Sequence, residues 1–186
     1  MRTATTFFAV LSLAAGAIFL AWSATWLLAP ASAGAARLKD SIKVSMKPWA
    51  VSFAWVIATT ATLGSLYYSD IANLEPCRLC WYQRIAMYPL VVVLGIAALR
   101  RDVAVRIYAV PLAVVGAFIA GYHYLIQWYP SLEGGACGTG IPCSSPYIWR
   151  WEFLSIPFMA LMGFLAVIAL LYSIERTPHG DEIPDQ

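Results

Sequence analysis

Charged residues are scarce in this chain, and their scarcity argues against an ordinary soluble domain. The 186 residues are 61% hydrophobic and only 12% charged, with a mean hydropathy of +0.69. Soluble domains carry about 25% charged residues, so we interpret the chain as an integral membrane protein. A net charge of +2 gives no indication of nucleic-acid binding, and we expect no nucleic-acid partner.

Several common cofactor motifs and sequence features are also missing. The sequence contains no GxGxxG dinucleotide motif, no haem-attachment motif, no internal repeat and no low-complexity tract. Little chain remains outside the apolar stretches, so there is no room for a separate soluble domain. Any chemistry must therefore be carried by the membrane region and its loops.

Five apolar stretches are present, at 7–29, 49–68, 81–99, 107–128 and 153–174. A transmembrane helix needs about 20 apolar residues, and all five meet this length. Only Arg84 and His123 interrupt them as ionisable side chains. The pattern predicts an all-α integral membrane protein.

The distribution of Lys and Arg predicts the orientation in the membrane. Segments 37–47 and 100–106 are basic, whereas segments 69–76 and 129–149 contain acidic residues and no Lys or Arg. Short basic loops stay in the cytoplasm, so we expect the basic segments inside and the acidic segments outside. A C-terminal tail at 176–186 is then cytoplasmic.

The first apolar stretch allows two interpretations. Ala31-Ser32-Ala33 resembles a signal-peptide cleavage site. However, the apolar run is long for a signal peptide, and the basic cluster follows it instead of preceding it. We therefore favour an uncleaved helix within residues 1–36, with its N-terminus outside.

All four cysteines fall in the two predicted outer loops, as Cys77-x-x-Cys80 and as the pair Cys137 and Cys143. Disulfides persist on the oxidising, outer side of the membrane. A helix N-terminus favours thiolate over thiol, and Arg84 lies about one turn beyond Cys80. Two pairs on one side suit the transfer of a disulfide from one pair to the other by thiol exchange.

Two simpler interpretations of the cysteines are weaker. Structural disulfides would leave the cation Arg84 within the apolar zone unexplained, and a CxxC ring constrains very little chain. A four-cysteine zinc site has plausible spacing, but thiols outside the cell tend to oxidise. We expect redox exchange and no metal.

Electrons taken from thiols outside the cell need an acceptor, and a lipid-soluble molecule is the natural one. His123 and Gln127 are one helical turn apart near the outer end of the fourth stretch, at a depth similar to that of Arg84. One interpretation is a histidine hydrogen-bonded within the bundle. With Arg84 at matching depth, we favour a polar pocket for a quinone carbonyl.

The chain resembles the DsbB family of disulfide-forming quinone reductases, including its shorter Gram-positive-type members called BdbC. The resemblance covers about residues 49–175. It depends on four sets of residues in this order: Pro76-Cys77-x-x-Cys80 with Tyr82-Gln83-Arg84, His123-x-x-x-Gln127-x-Tyr129-Pro130, Cys137 with Cys143, and Trp151-Glu152-Phe153-Leu154 with Pro157.

The resemblance implies a four-helix transmembrane bundle within 37–175, with the N-terminal helix as an addition. It implies an enzyme that oxidises a DsbA-like thioredoxin-fold partner and reduces ubiquinone or menaquinone. On this basis Cys80 is the quinone-facing thiolate, Cys77 its partner, Cys137 forms the mixed disulfide and Cys143 resolves it. Arg84, His123 and Gln127 are the predicted quinone ligands. Only five residues separate Cys137 from Cys143, whereas the enterobacterial type has a much longer loop.

Two rival functions stay open at the level of sequence. The vitamin K epoxide reductase family also combines a helical bundle with two cysteine pairs, but there the CxxC typically follows the loop pair. A non-enzymatic membrane protein with structural disulfides would tolerate alanine at Arg84.

Overall fold

The computed structural model describes residues 2–30, 32–135, 137–138 and 140–174. The described residues form six α-helices and no extended sheet. A π-helical turn at Tyr67–Ile71 continues α3, and a short 3₁₀ turn at Pro130–Leu132 follows α5. The helices are α1 Arg2–Leu28, α2 Ala33–Met46, α3 Ala50–Leu66, α4 Arg78–Arg100, α5 Arg106–Trp128 and α6 Ile156–Tyr172.

The helix lengths and compositions confirm the all-α membrane class. Among the described residues, four helical segments are long and apolar enough to cross a membrane: Thr3–Leu28, Ala50–Ile71, Arg78–Arg100 and Arg106–Trp128. The fifth predicted stretch, 153–174, is shorter in the structure, because α6 starts only at Ile156 and has 17 residues. Pro157 therefore occupies the first turn of α6, where its missing N–H costs nothing, and introduces no kink.

Helices α3 to α6 form a ring in which each helix packs against its neighbours, and α1 packs outside this ring against α6. Successive helices run in opposite directions because their connections are short. Small residues of α3 and α5 face larger side chains of α4 and α6 in the shared core. Fully buried core residues include Ala54, Ala58, Leu90, Leu94, Ala113, Ala120, Phe164, Val167 and Leu171.

The N-terminal part differs from the predicted boundaries. Helix α1 ends at Leu28, two residues before Pro30, which disfavours helical backbone in the residue before it. A second helix, α2, occupies residues 33–46, where the sequence suggested a basic loop. The predicted cytoplasmic tail at 176–186 lies outside the described residues.

The alternation of helix direction brings both cysteine pairs to one end of the bundle. The α3–α4 and α5–α6 connections meet there, whereas the basic segments at 37–47 and 100–106 lie at the opposite end. Helix α1 has its N-terminus at the cysteine end, since Phe8 contacts Gly64 near the end of α3 and Trp22 contacts Tyr172 near the end of α6.

Candidate redox site

Cys77 and Cys80 are placed by the first turn of α4. Cys77 is the N-cap residue, in extended backbone conformation, and its sulfur accepts a hydrogen bond from the backbone N–H of Cys80 at 3.4 Å. The two sulfurs are 3.0 Å apart and hydrogen-bonded. The hydrogen bond with Cys80, and then that with His123, lower the pKa of Cys77 to about 4 against the opposing effect of burial. These hydrogen bonds therefore favour the thiolate form of Cys77.

His123 connects the two cysteine pairs from α5. Its Nε2 atom is 3.7 Å from the Cys77 sulfur and 3.1 Å from the carbonyl oxygen of Cys143. Its Nδ1 atom accepts a hydrogen bond from Nε2 of Gln83 at 2.9 Å. This contact leaves the ring proton on Nε2, where it is directed at the sulfur and the carbonyl. The buried imidazole is thus a hydrogen-bond donor between the pairs.

Cys137 and Cys143 form a disulfide with their Cα atoms 6.0 Å apart. Glu133 holds this loop, because its Oε1 accepts the backbone N–H of Cys143 at 2.9 Å. A hydrogen bond from the Ser144 side chain lowers the pKa of Glu133 against the opposing effect of burial, and weaker hydrogen bonds from the backbone N–H groups of Cys143 and Ser144 lower it further. An ionised carboxylate therefore lies within 4.8 Å of both sulfurs. The disulfide packs in one apolar cluster with Cys77, Leu79 and Ile126.

The disulfide also bears on the zinc alternative. A four-cysteine site needs four thiolates, whereas two of the four sulfurs are bonded to each other in this structure. The free thiols of Cys77 and Cys80 and a ring nitrogen of His123 lie within 4.8 Å of one another. These three residues are therefore a different set of possible ligands from the four cysteines.

Arg84 projects from α4 towards α3. Its Nε donates to Oγ of Ser65 at 3.0 Å, and its Nη2 donates to the Ser65 carbonyl at 3.2 Å. Its guanidinium carbon lies 5.2 Å from the ring centroid of Trp81. Among the described residues, Nη1 has no hydrogen-bond partner. Arg84 and Cys80 line the same end of a largely apolar cavity of about 300 Å³ between the helices.

A second, much smaller cavity lies beside the two cysteine pairs. Cys77, Cys80, His123, Gln127 and Cys143 line it. The Oε1 atom of Gln127 is buried there without a hydrogen-bond partner in the described part of the chain. Cys80 is the residue of the CxxC pair that borders both cavities.

The predicted quinone ligands are therefore divided between two places. Arg84 lines the large cavity, whereas His123 and Gln127 face the cysteine pairs instead of that cavity. The reason is the helical rotation of about 100° per residue: Gln83 points to His123 on α5, and its neighbour Arg84 points to Ser65 on α3.

The sequence alone does not single out three residues of this site. Gln83 belongs to the Tyr82-Gln83-Arg84 motif without a role of its own, Glu133 is the acidic residue of segment 129–149, and Ser65 belongs to no motif. The available signal for Gln83 and Ser65 was a polar side chain within an apolar stretch; Gln83 is 6% exposed, and a buried amide needs partners.

Comparison with known proteins identifies the family. The family model described as "Disulfide bond formation protein DsbB" matches residues 47–174, which include all four cysteines and exclude α1. The chain belongs to the DsbB family. DsbB-family membership decides against the vitamin K epoxide reductase resemblance and establishes a membrane protein of disulfide bond formation with an oxidoreductase role.

Curated DsbB-family relatives match the same region. "Disulfide bond formation protein C" of Bacillus subtilis is 50% identical over 119 residues, which are 63% of this chain and 86% of that protein. "Probable disulfide formation protein C 2" of Bacillus anthracis is 46% identical over 127 residues, 68% of this chain and 91% of that protein. "Probable disulfide formation protein" of Oceanobacillus iheyensis is 43% identical over 124 residues, 66% of this chain and 86% of that protein. No solved structure matches the chain significantly.

Proposed function

We propose that this protein is a thiol oxidase of the cytoplasmic membrane that reoxidises a DsbA-like thioredoxin-fold protein and passes the electrons to ubiquinone or menaquinone. Both cysteine pairs then face the outside of the cell. One observation supports this best: His123 Nε2 lies between the Cys77 sulfur and the Cys143 carbonyl, so the two pairs are adjacent. Systems of the DsbA–DsbB–quinone type keep the bacterial periplasm oxidising.

The first exchange takes place at the loop disulfide. A thiolate of the reduced partner attacks Cys137, the bond between Cys137 and Cys143 breaks, and Cys143 leaves as a thiolate. The second partner thiol then displaces Cys137, so that the partner is oxidised and the loop pair is reduced by two electrons. In the next exchange the reduced loop pair attacks the Cys77–Cys80 disulfide and recovers its own.

The pairing of the sulfurs in the described structure is the one that this proposal expects after the second exchange. The loop pair is a disulfide and Cys77 and Cys80 are free thiols. The lowered pKa of Cys77 favours its thiolate, and its sulfur is 3.0 Å from that of Cys80. When Cys80 passes two electrons to the acceptor and loses its proton, the Cys77 thiolate bonds to the Cys80 sulfur and the CxxC disulfide is restored. The role of Cys80 as the quinone-facing thiolate stays a prediction, and it applies to the step in which a quinone occupies the large cavity.

The large cavity fits a quinone as the electron acceptor, which would take up two electrons and two protons. The volume of the cavity, about 300 Å³, is at the lower end of the range for ligand pockets, about 300–1,000 Å³. Cys80 and the guanidinium of Arg84 lie at one end, and Nη1 is available to donate to a ring oxygen. The other lining residues are mainly apolar, as a hydrocarbon tail requires.

Substitution of Arg84 tests the acceptor site. We expect Arg84→Ala to fold, because removing a charge from the membrane region relieves a burial cost. Quinone reduction should nevertheless fall by about 10²–10³, the usual loss for one transition-state donor. Arg84→Lys should recover only part, since an ammonium lacks the planar fork that also binds Ser65. The measurement is anaerobic quinone absorbance after mixing with reduced partner.

The matched control is Arg78→Ala in the same helix. Arg78 contacts the exposed Tyr82 hydroxyl and does not line the large cavity, so with the same electron donor its loss should leave the rate within about twofold of wild type. Wild-type rates in Arg84→Ala would contradict the role of Arg84. Failure of the wild-type protein to reduce either quinone would contradict the proposed function.

Trapping of a mixed disulfide tests the order of exchange. A Cys143→Ala variant keeps Cys137 as a lone thiol, whose thiolate attacks the disulfide of an oxidised DsbA-like partner and releases one partner thiol. Alkylation of that released thiol blocks the reverse step, so the covalent complex through Cys137 should accumulate. Non-reducing gels followed by mass spectrometry would identify the linked cysteines. If the complex forms instead in Cys137→Ala, the two roles are exchanged within the loop.

A further inference from the structure

Helix α1 forms one wall of the large cavity, although it lies outside the family region at 47–174. The contributing side chains recur three or four residues apart and therefore share one face of the helix. The opposite walls come from α3, α4 and α6. Six α1 residues line the cavity: Ala14, and the five that share this face, which are Phe8, Leu11, Ser12, Ala15 and Ile18.

Close packing fixes α1 in this position. A Cβ atom on Gly64 of α3 would lie 3.0 Å from the ring of Phe8, and one on Gly16 would lie 2.9 Å from the sulfur of Met162 in α6. These glycines let the helices approach closely, as small residues do between membrane helices. The α1 wall is therefore a packed part of the bundle.

The position of this wall relative to the chemistry suggests its role. Cys80 and Arg84 line the cysteine end of the cavity, where Phe8 packs against Gly64, and the α1 side chains from Leu11 to Ile18 line it further from that end. Without α1, the side of the cavity that this helix covers would open to lipid. A flat quinone head group at Cys80 would leave its tail to extend along α1.

We propose that α1 is part of the acceptor site, where the face formed by Phe8, Leu11, Ser12, Ala15 and Ile18 binds the isoprenoid tail of the quinone reduced at Cys80. This inference rests on the proposed function, because it specifies the substrate of the same site. The residues that select the tail thus come from a segment outside the matched family region.

Substitution of Ala15 tests the tail site. Ala15→Trp would fill the cavity, whereas Ala17→Trp, two residues away, adds the same side chain on an exposed position that does not line it. Each full-length protein is assayed with short-tailed and long-tailed quinones of one head group, ubiquinone or menaquinone. Ala15→Trp should raise KM for the long-tailed quinone by about tenfold or more and affect the short-tailed one much less. Ala17→Trp should match wild type for both.

A second measurement avoids substitution altogether. Wild-type protein is irradiated with a quinone that has a photoreactive group on its tail, and the modified residues are located by mass spectrometry. Adducts within residues 8–18 would support the proposal. Adducts confined to other helices would overturn it.

The outcomes separate this inference from the proposed function. Quinone reduction by wild type, together with equal KM values for Ala15→Trp and Ala17→Trp, would overturn the tail site alone. A purified active protein whose mass shows removal of residues 1–33 would overturn it as well. Absence of reduction of any quinone would overturn both.

Discussion

At the residue scale, the two cysteine pairs have opposite electrostatic surroundings. Cys77 accepts hydrogen bonds from the backbone N–H of Cys80 and is close to Nε2 of His123. The loop pair instead lies beside the Glu133 carboxylate. Donors favour a thiolate and a nearby negative charge disfavours one. A pair whose reduced form is stabilised is the better oxidant, so electrons should pass from the loop pair to the CxxC pair.

The pKa of Cys77 provides a test at this scale. In a Cys137→Ser/Cys143→Ser background, thiolate absorbance at 240 nm should persist as the pH falls and be lost near pH 4, where the pKa of Cys77 lies. His123→Ala removes one donor, so the midpoint should rise. It should remain below the usual thiol value of about 8.5, because the hydrogen bond with Cys80 is the larger cause.

The conservative variant distinguishes a specific donor from general packing. His123→Gln keeps an N–H group on a side chain of similar reach, so it should restore part of the shift in the midpoint. An unchanged midpoint in His123→Ala would show that the imidazole does not act on Cys77. The lowered pKa of Cys77 also predicts how stability depends on pH. The reduced, folded protein has the full stabilisation from this thiolate above about pH 8.5, and it loses this stabilisation as the pH falls towards 4.

At the element scale, the contact between α5 and α6 depends on one glycine. A Cβ atom on Gly116 would lie 2.3 Å from two atoms of the Phe164 ring, and Phe164 is completely buried in the core. Gly121 lies further along α5 and has open space around the same position. The two glycines therefore have different reasons to be present in one helix.

Alanine substitution at each glycine tests this difference. Gly116→Ala forces Phe164 or α6 to move, and overpacking of this kind typically costs about 1–3 kcal/mol. Gly121→Ala should be neutral or stabilising, because alanine is the better helix former. Thermal unfolding in detergent would measure both. Equal midpoints for the two variants would contradict the close contact, whereas recovery in Gly116→Ala/Phe164→Leu would support it.

At the scale of the whole molecule, all four sulfurs are at one end of the bundle and the basic segments are at the other. Native cysteines are poor reporters of this arrangement, because Cys77 and Cys137 are each only 5% exposed. Introduced cysteines at exposed positions avoid the problem. Gly140 belongs to the α5–α6 connection, Arg100 ends α4, and Thr3 begins the apolar part of α1.

The orientation predicts the labelling of these introduced cysteines. In a cysteine-free background, a membrane-impermeant maleimide added to intact cells should label Gly140→Cys and Thr3→Cys. Arg100→Cys should react only after lysis, because basic segments remain in the cytoplasm. The reverse pattern would contradict the outward orientation of the redox site, and labelling of Arg100→Cys together with Thr3→Cys would contradict the direction of α1.

The sequence determined the class of the protein and the chemical groups at its site. Apolar length and scarce charge are properties of composition, so the membrane helices follow from them, and the CxxC at the start of α4 follows from local helix geometry. The ordered cysteine, arginine and histidine motifs were sufficient to identify the DsbB family, which the family match confirmed. The individual roles of these residues stay predictions.

Only the tertiary structure decided which of these groups meet. Helical spacing placed Arg84 and His123 at a similar depth, but the direction of each side chain depends on which helix is its neighbour. Packing of α4 between α3 and α5 directs Arg84 to Ser65 and Gln83 to His123, and so separates two ligands predicted to share one pocket. The wall formed by α1 depends likewise on contacts between residues about 50 to 150 positions apart in the chain, as between Phe8 and Gly64 or Gly16 and Met162, which no local pattern encodes.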